Sequence, residues 1–335
     1  MKIVILGAAG FVGSSLVDRF VGRSDFEIIA VDNLSFGYKE RLQENLQEIR
    51  FFEEDLFSFC KRKLPGIDAV INCAAIAPLP ENQLDHARSI TQNVASCGAI
   101  VDFCATNGIH KIIHFSSSAV YENGTSRDGT PAKESDAITP RLMYPLSKYL
   151  SEEYFKSQFS IFDLDITCIR LFNLYGPKQD YFRKQPPLLG YLIKNLITAN
   201  PVTLYASPDA RRDYIHIDDL IDFIDDRMRE TNLVRCRTPN LGSGKSYSVY
   251  ELVERLQNLS GKMLRYEIGD TTGFWNNYPE IFDKKIGLKM ELVRAEIDKM
   301  AVADISNTVS EYGWRPRIDI DYGLKSCLNY AERIL

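Results

Sequence analysis

The sequence lacks paired cysteines, a block of basic residues and a long apolar run. Its cysteines form no C-x-x-C motif, and their odd number and scattered spacing exclude a disulfide scaffold. We expect buried, reduced thiols, no zinc or other metal site, and a cytoplasmic protein. The seven cysteines are Cys60, Cys73, Cys97, Cys104, Cys168, Cys236 and Cys327.

The charges are nearly balanced, with 40 Lys and Arg against 45 Asp and Glu and a formal net charge of -5. No cluster of cations offers a footprint for nucleic acid or an anionic membrane. Uncharged stretches such as residues 69–80 fall far short of the roughly 20 residues that span a bilayer. The N-terminus enters an apolar strand without the charged region of a signal peptide. We therefore expect neither nucleic acid nor membrane as a partner.

Short apolar segments alternate with helical patterns over the first half of the chain. This alternation is typical of a doubly wound α/β fold, in which a parallel sheet is covered by helices on both faces. We expect the sheet to end near residue 171. The predicted strands are residues 2–6, 27–31, 50–53, 69–73, 111–115 and 165–171, and the predicted helices are 11–21, 88–106 and 144–157.

A glycine-rich turn joins the first predicted strand to the first predicted helix. Gly7, Gly10 and Gly13 follow the pattern G-x-x-G-x-x-G. Such glycines allow a tight turn and let a pyrophosphate approach the helix N-terminus. The first helical residues, Phe11 and Val12, would lie beside that ligand. For the glycines alone, a tight turn without a ligand is the alternative.

Asp32 strengthens the dinucleotide interpretation. It ends the second predicted strand, 19 residues after Gly13, where a carboxylate accepts a hydrogen bond from a ribose 2′-OH and repels a 2′-phosphate. Asn33 follows instead of an arginine, so we predict NAD rather than NADP as the cofactor. Asp55 and Leu56 are candidates for the adenine pocket, although a helix N-cap is an equally good interpretation of Asp55.

These features predict two domains. Residues 1–176 form a Rossmann-type NAD-binding domain. Beyond Gly176, repeated prolines break up short helices such as residues 188–198 and 249–259, which indicates a smaller, mixed α/β lobe at residues 177–335. We expect this lobe to bind the substrate and some of its segments to return to the first domain.

A tyrosine and a lysine four residues apart are the candidate catalytic pair. In a helix, Tyr144 and Lys148 share one face, and a nearby cation lowers the pKa of a phenol so that it can act as a base. A surface pair is the alternative for this short motif. Ser117 lies at the carboxyl end of a predicted strand, where it could contact a substrate hydroxyl; a serine-rich turn is the alternative.

Several motifs, in order, resemble one family. The segments GAAGFVG, VDNLS, NCAA, FSSSAVY, YPLSK, RLFNLYGP and RRDYIHIDD occur between residues 7 and 219. They strongly resemble the extended short-chain dehydrogenases/reductases, which include NAD-dependent nucleotide-sugar epimerases and dehydratases. The resemblance implies a nucleotide-diphosphate sugar as the substrate and NAD as the cofactor.

The resemblance also implies roles for individual residues. Tyr144 is the base, Lys148 is its partner and binds the nicotinamide ribose, and Ser117 contacts a substrate hydroxyl. For the arginines, which would bind the diphosphate through permanently charged donors, a surface ion pair is the alternative. Further residues implied to contribute to cofactor binding are Ala74, Ala75 and Asn93, and those implied for the substrate are Ser118, Asn173, Arg212, Arg294 and Ala301.

The first choice of reaction is C4 epimerisation of a UDP-hexose or UDP-N-acetylhexosamine through a transient 4-keto sugar. Family dehydratases place an acid and a base directly after the Ser/Thr, whereas Ser118 and Ala119 stand here. A dehydratase or 4-keto-sugar reductase is the alternative within the family, and a non-catalytic NAD-binding sensor is the alternative outside it. The resemblance also implies that the small side chain of Ala301 leaves room for an acetamido group.

Three further features have open interpretations. Residues 269–290 are either a lid over the substrate or a surface elaboration. The stripe Ile90, Val94, Cys97 and Val101 either faces a second copy, because relatives form homodimers through helices 88–106 and 144–157, or faces the sheet. The G-S-G-K-S sequence at 242–246 mimics a P-loop, but Pro239 stands where its first glycine is required, so we reject a triphosphate site.

Overall fold

The computed structural model describes residues 1–122, 128–183, 186–205, 207–231, 233–270, 272–283 and 286–335. The strands in these ranges are β1 (Lys2–Leu6), β2 (Glu27–Asp32), β3 (Arg50–Glu53), β4 (Ala69–Asn72), β5 (Lys111–Phe115), β6 (Asp165–Leu171), β7 (Asn173–Tyr175), β8 (Val202–Leu204), β9 (Arg211–His216), β10 (Arg235–Arg237), β11 (Asn240–Leu241), β12 (Ser246–Ser248), β13 (Tyr266–Ile268) and β14 (Met300–Ala301).

The α-helices are α1 (Phe11–Phe20), α2 (Leu56–Phe59), α3 (Leu79–Leu84), α4 (His86–Ile90), α5 (Ser96–Asn107), α6 (Met143–Gln158), α7 (Leu188–Ile197), α8 (Ile217–Arg229), α9 (Val249–Ser260), α10 (Met290–Ile297), α11 (Ser306–Tyr312) and α12 (Ile320–Ile334). Short 3₁₀ segments cover Lys39–Asn45, Ser118–Tyr121, Gly273–Asn277 and Pro279–Ile281. Within the described ranges, we find no helix that is both long and apolar enough to cross a bilayer.

The chain packs into two units that interleave in sequence. The first unit comprises residues 1–120, 140–170 and 221–239, and the second comprises 121–139, 171–220 and 240–335. The predicted division at residue 176 follows chain order instead, and as a statement about domains it stays a prediction.

The sheet of the first unit has the strand order β10-β6-β5-β4-β1-β2-β3, and every neighbouring pair in it is parallel. Its central strands are buried along almost their whole length, as expected for a sheet covered on both faces. The order reverses between β1 and β4, where doubly wound folds bind their ligands at the carboxyl ends of the strands. The predicted α/β fold is confirmed.

Two details of the first unit differ from the prediction. The sheet does not end near residue 171, because β10 adds to the outer side of β6; a strand of three residues, only partly buried, has too weak a pattern to predict. The predicted helix at 88–106 is α4 and α5 joined by a π-helical turn at Thr91–Ala95. Such bulges are rare and frequent at functional sites, and Asn93 lies buried within this one.

The second unit contains short strands and its own core. Strand β9 pairs in parallel with β7 and β14 and antiparallel with β12, while β8 and β13 form a separate parallel pair. Apolar residues of α7, α9 and α12 pack together with Tyr175 and Tyr214. The segment 269–290 lies between β13 and α10; in its described part it holds the 3₁₀ segments Gly273–Asn277 and Pro279–Ile281, with Trp275 and Ile281 buried.

Candidate active site

The glycine turn between β1 and α1 leaves no room for side chains. Gly7 has a positive φ of 78°, and a Cβ there would lie 2.7 Å from the backbone nitrogen of Ala74. A Cβ at Gly13 would lie 2.2 Å from the carbonyl oxygen of Gly7. The turn therefore needs glycine at both positions, and it brings Ala74, which follows β4, against the loop.

The N-terminus of α1 is open. Gly10 is the N-cap and supplies no side-chain hydrogen bond, so the backbone N–H groups at the start of the helix, including those of Phe11 and Val12, lack a side-chain acceptor. These groups and the helix dipole favour an anion. The turn is thus a cradle into which a pyrophosphate fits.

Asp32 is oriented by the backbone around it. The carboxylate is buried at the end of β2 and accepts hydrogen bonds from Ala9 N at 2.9 Å and Leu34 N at 2.7 Å. Burial raises its pKa, and the two backbone donors oppose that shift. Leu34 has a positive φ of 57°, an unusual conformation for leucine that presents its N–H to the carboxylate.

Gly37 belongs to this site and was missed by sequence reasoning. A Cβ at Gly37 would lie 2.9 Å from Asp32 Oδ2 and 2.8 Å from the Cβ of Ala9. Its neighbour Tyr38 donates its backbone N–H to Ala9 O. No motif marks Gly37, because the need for glycine comes from the close approach of two loops. Asn33, in contrast, accepts a hydrogen bond from Ser35 N within its own turn.

The structure gives Asp55 a capping role. Its carboxylate accepts from Ser58 N at 3.0 Å and from Ser58 Oγ at 2.6 Å, so it is the N-cap of α2, which begins at Leu56. These hydrogen bonds lower its pKa. Of the two interpretations of Asp55, the N-cap is observed, and contact of Asp55 or Leu56 with adenine stays a prediction.

Asn93 joins the loop after β4 to helix α6. Its Oδ1 accepts from Ile76 N at 2.8 Å, and its Nδ2 donates to Asn82 Oδ1 at 3.1 Å and to Ser147 Oγ at 3.0 Å. The side chain is buried and engaged with the chain's own groups. Its implied contribution to cofactor binding stays a prediction. Ala75, in the same loop, is half-buried.

Helix α6 brings the catalytic candidates together at the end of β5. The hydroxyl of Ser117 lies near the phenol of Tyr144, whose pKa it lowers, and accepts from Ala119 N at 3.1 Å. Lys148 is buried; its Nζ donates to Phe115 O at 2.7 Å and lies 6.0 Å from the centre of the Tyr144 ring. These three side chains thus form one group.

The pKa shifts correct one expectation. Burial raises the pKa of the Tyr144 phenol, and the hydrogen bond from Ser117 lowers it by less; Lys148 does not bring it toward neutrality, so that prediction is wrong for the chain's own groups. Burial lowers the pKa of Lys148 to about 8. At neutral pH the site therefore holds a protonated phenol beside an ammonium group that is close to losing its proton.

In the second unit, Arg212 is held by backbone oxygens. On β9, its guanidinium donates to the carbonyls of Glu296 at 2.7 Å and Ile297 at 3.1 Å and to that of Lys299, at the C-terminal end of α10. This is a favourable place for a cation. Arg294 lies on α10 and is exposed. A diphosphate role for either arginine stays a prediction.

The other predicted substrate residues lie near Arg212 or on the first unit. Ala301, on β14, pairs with Arg212 in register and is buried. Asn173, on β7, is in register with Tyr214 and hydrogen-bonds to its phenol. Ser118 is half-buried at the start of the 3₁₀ segment after Ser117.

The P-loop mimic binds a carboxylate of its own chain. Asp213 is buried and accepts from Ser243 N and Oγ, both at 2.7 Å, from Gly244 N at 2.9 Å and from Ala303 N at 3.0 Å. The loop thus surrounds an internal anion. Among the residues that the structure describes, no three His, Cys, Asp or Glu side chains converge as a metal site.

Comparison with known proteins identifies the family of this chain. The sequence profile of the NAD dependent epimerase/dehydratase family matches residues 3–241. The chain belongs to this family. The predicted resemblance is therefore confirmed, and so is NAD as the cofactor.

Relatives in this family match over nearly the whole chain. The UDP-glucose 4-epimerase of Mycolicibacterium smegmatis is 25% identical over 339 residues, covering 98% of both chains. A UDP-N-acetylglucosamine 4-epimerase from Methanobrevibacter ruminantium, solved with UDP-N-acetylmuramic acid, superposes with a TM-score of 0.83 at 24% identity, covering 100% of this chain and 99% of that one. The Bacillus cereus UDP-glucuronic acid 4-epimerase, solved with UDP-glucuronic acid and NAD, gives 0.82 at 21% identity, with both chains fully covered.

The residues of this chain fit the family's cofactor. The side-chain-free cradle at Gly7 and Gly13 and the open N-terminus of α1 suit a pyrophosphate, and the buried carboxylate of Asp32 suits a ribose diol. NAD, when bound there, supplies a group that accepts a hydride and gives it back.

Proposed function

We propose that this protein is an NAD-dependent nucleotide-sugar epimerase that inverts C4 of a UDP-hexose or UDP-N-acetylhexosamine through a transient 4-keto sugar. The observation that carries the proposal is that Ser117, Tyr144 and buried Lys148 converge at the end of β5. A proton-transfer group thus lies on the unit that carries the NAD cradle.

Tyr144 is the proton-transfer group of the proposed reaction. The reaction starts from the deprotonated minor form of Tyr144: its phenolate oxygen takes the proton of the C4 hydroxyl while the C4 hydride leaves to the cofactor, which yields the ketone. Return of the hydride to the opposite face of C4 and of the proton from Tyr144 gives the epimer, so no net oxidation occurs. Ser117 orients the hydroxyl, and the ammonium of Lys148 stabilises the phenolate at the moment that it forms.

The residues after Ser117 favour epimerisation over dehydration. Loss of water from the keto sugar needs an acid and a base on neighbouring carbons. Ala119 cannot transfer a proton, and Ser118 is a poor acid at the start of a 3₁₀ turn. A 4-keto-sugar reductase would need an external reductant, which separates it from the epimerase in an assay.

The nucleotide sugar follows from the second unit and from the relatives. We assign the diphosphate to Arg212, Arg294 and Asn173, as the family resemblance implies. The named relatives act on UDP-glucose, UDP-N-acetylglucosamine and UDP-glucuronic acid, so UDP is the proposed nucleotide. Ala301, small and buried on the strand beside Arg212, supports a substrate with an acetamido group.

We propose a cytoplasmic homodimer that packs through α4, α5 and α6. The predicted stripe does not serve this interface as a whole, because Cys97 and Val101 are fully buried in the core of their own unit. Ile90 and Leu150 are both 36% exposed and are the apolar residues proposed to meet a second copy. All seven cysteines are free thiols, which suits a reducing compartment.

Proton NMR of the purified protein with a panel of UDP-, dTDP-, GDP- and CDP-sugars tests the function. With NAD present but no external oxidant or reductant, we expect one UDP-sugar to be converted into its C4 epimer without accumulation of NADH. The variant Y144F should lose turnover and still bind NAD. A dehydrated product, or NAD binding without conversion of any sugar, would contradict the proposal and favour a dehydratase or a sensor, respectively.

A further inference from the structure

A buried ion pair lies directly behind the catalytic group. Arg170 on β6 donates to Glu152 on α6 through Nε at 3.0 Å and Nη2 at 2.8 Å. Ser116 Oγ donates to Glu152 Oε1 at 2.5 Å. All three side chains are at most 4% exposed. The carboxylate therefore meets an arginine and a serine away from water.

These contacts lie next to those of the catalytic residues. Three successive residues at the end of β5 each face α6: the carbonyl of Phe115 accepts from Lys148, Ser116 donates to Glu152, and Ser117 lies near Tyr144. The helix residues are spaced at i, i+4 and i+8, so they share one face. The same face thus carries the proposed base Tyr144, the neighbouring cation Lys148, and Glu152, which accepts from Ser116.

Stability alone does not account for a charged pair at this place. Desolvation of two buried charges offsets most of their attraction, and apolar residues of similar volume are often equally stable. The geometry is more demanding, because a bidentate guanidinium fixes the plane of the carboxylate. A fixed carboxylate in turn fixes the Ser116 hydroxyl and, through the backbone, the neighbouring Ser117.

We propose that Glu152, oriented by Arg170, is a positioning residue for the epimerase reaction proposed above: it holds Ser116 so that Ser117 reaches Tyr144, and its negative charge supports the ammonium of Lys148. The proposal rests on the proposed function for its turnover readout only. Glu152 touches no reacting atom and acts through Ser116 and Lys148.

The effect of the Glu152 charge on the pKa of Lys148 can be measured. Glu152 raises the pKa of Lys148, against the larger effect of burial. The titratable and charged groups around Lys148 come from three strands or their ends and two helices. They are Cys73 after β4, His114 on β5, Cys168 on β6, Cys97 on α5, and Tyr144 and Glu152 on α6.

Four variants test the proposal. S116A removes the hydroxyl that Glu152 holds, and S116T restores it. S96A is the matched control, since Ser96 is equally buried on α5 and loses one hydrogen bond, to Gln92 O. The double variant E152M/R170M removes both charges without leaving either one buried and unpaired. Each variant is compared for kcat, KM, NAD affinity and thermal midpoint.

We expect S116A to lower kcat by about tenfold to a hundredfold, the effect of a small misplacement at a reacting site, with KM and NAD affinity within about twofold. S116T should recover most of kcat, and S96A should keep it. In protein labelled with ¹³Cε-lysine, E152M/R170M should lower the pKa of Lys148 further below about 8, and the alkaline limb of the kcat profile should move with it.

Two results would overturn the inference: a kcat in S116A equal to that in S96A, or a Lys148 titration unchanged in E152M/R170M. The lysine titration needs no turnover. If the wild-type protein converts no sugar, the proposed function fails while the titration still decides the role of Glu152.

Discussion

Replacing Lys148 by methionine should make the protein more stable at neutral pH while abolishing turnover. Burial lowers the pKa of this lysine from 10.5 to about 8, so the folded protein holds a cation that the unfolded chain accommodates at less cost. A shift of this size corresponds to about 3 kcal/mol, at roughly 1.4 kcal/mol per pKa unit. Methionine has a similar length and no charge.

The sign follows from the protons bound in each state. Between about pH 8 and 10.5 the unfolded chain keeps the Lys148 proton and the folded protein releases it, so the wild type gains stability as the pH rises. Below pH 8 both states are protonated and the full penalty applies. The advantage of K148M should therefore be greatest at pH 7 and shrink by about 3 kcal/mol on approaching pH 10.5.

Urea unfolding of both proteins at pH 7 and pH 10, followed by far-UV circular dichroism, measures this difference. The lost hydrogen bond to Phe115 O adds a constant that cancels between the two pH values. K156M is the control, because Lys156 is two turns further along α6 and its side chain is 37% exposed. A stability difference between wild type and K148M that does not change with pH would refute the reasoning.

Two predictions concern the cofactor site. Gly13→Ala should abolish NAD binding, because its Cβ would lie 2.2 Å from Gly7 O. The control G98A, in α5, should bind NAD normally, because its Cβ would make only an ordinary contact with the Tyr154 hydroxyl at 3.5 Å. Equal NAD affinity by calorimetry in both variants would contradict the close approach. Asp32→Ala should weaken NAD binding by about 10- to 150-fold, which corresponds to the loss of one charged hydrogen bond of roughly 1.5–3 kcal/mol. The same variant should weaken NADP binding less. An equal loss of affinity for both cofactors would show that Asp32 only accepts hydrogen bonds from Ala9 and Leu34 and does not contact the ribose.

The strands of the first unit could be predicted because their signals are local. Strands at 2–6, 50–53, 111–115 and 165–171 match the structure residue for residue, since each is a short apolar run closed by polar or glycine residues. The glycine turn and Asp32 were recognised for a similar reason: their spacing is fixed by one βαβ unit.

Contacts between distant segments could not be predicted. Gly37 is required because the loop after β2 packs on Ala9 in the loop after β1. Glu152 and Arg170 lie 18 residues apart, and the sequence around each gives no signal of a buried ion pair. The return of residues 221–239 to the first unit likewise depends on β10, whose three residues carry no distinctive period.

Arg212 shows how family resemblance and structure combine. The resemblance implies a diphosphate ligand, while the observed donors at Nη1 and Nη2 serve carbonyls of Glu296, Ile297 and Lys299. The two roles are compatible if Arg212 keeps its hydrogen bonds to the end of α10 and attracts the phosphate through its positive charge, without donating Nη1 or Nη2 to it. Because Arg294 lies on the same helix, Arg212 then also sets the position of the second proposed phosphate ligand. The two arginines would thus act as one unit built on α10, with Arg212 half-buried at its end and Arg294 exposed on its last turn.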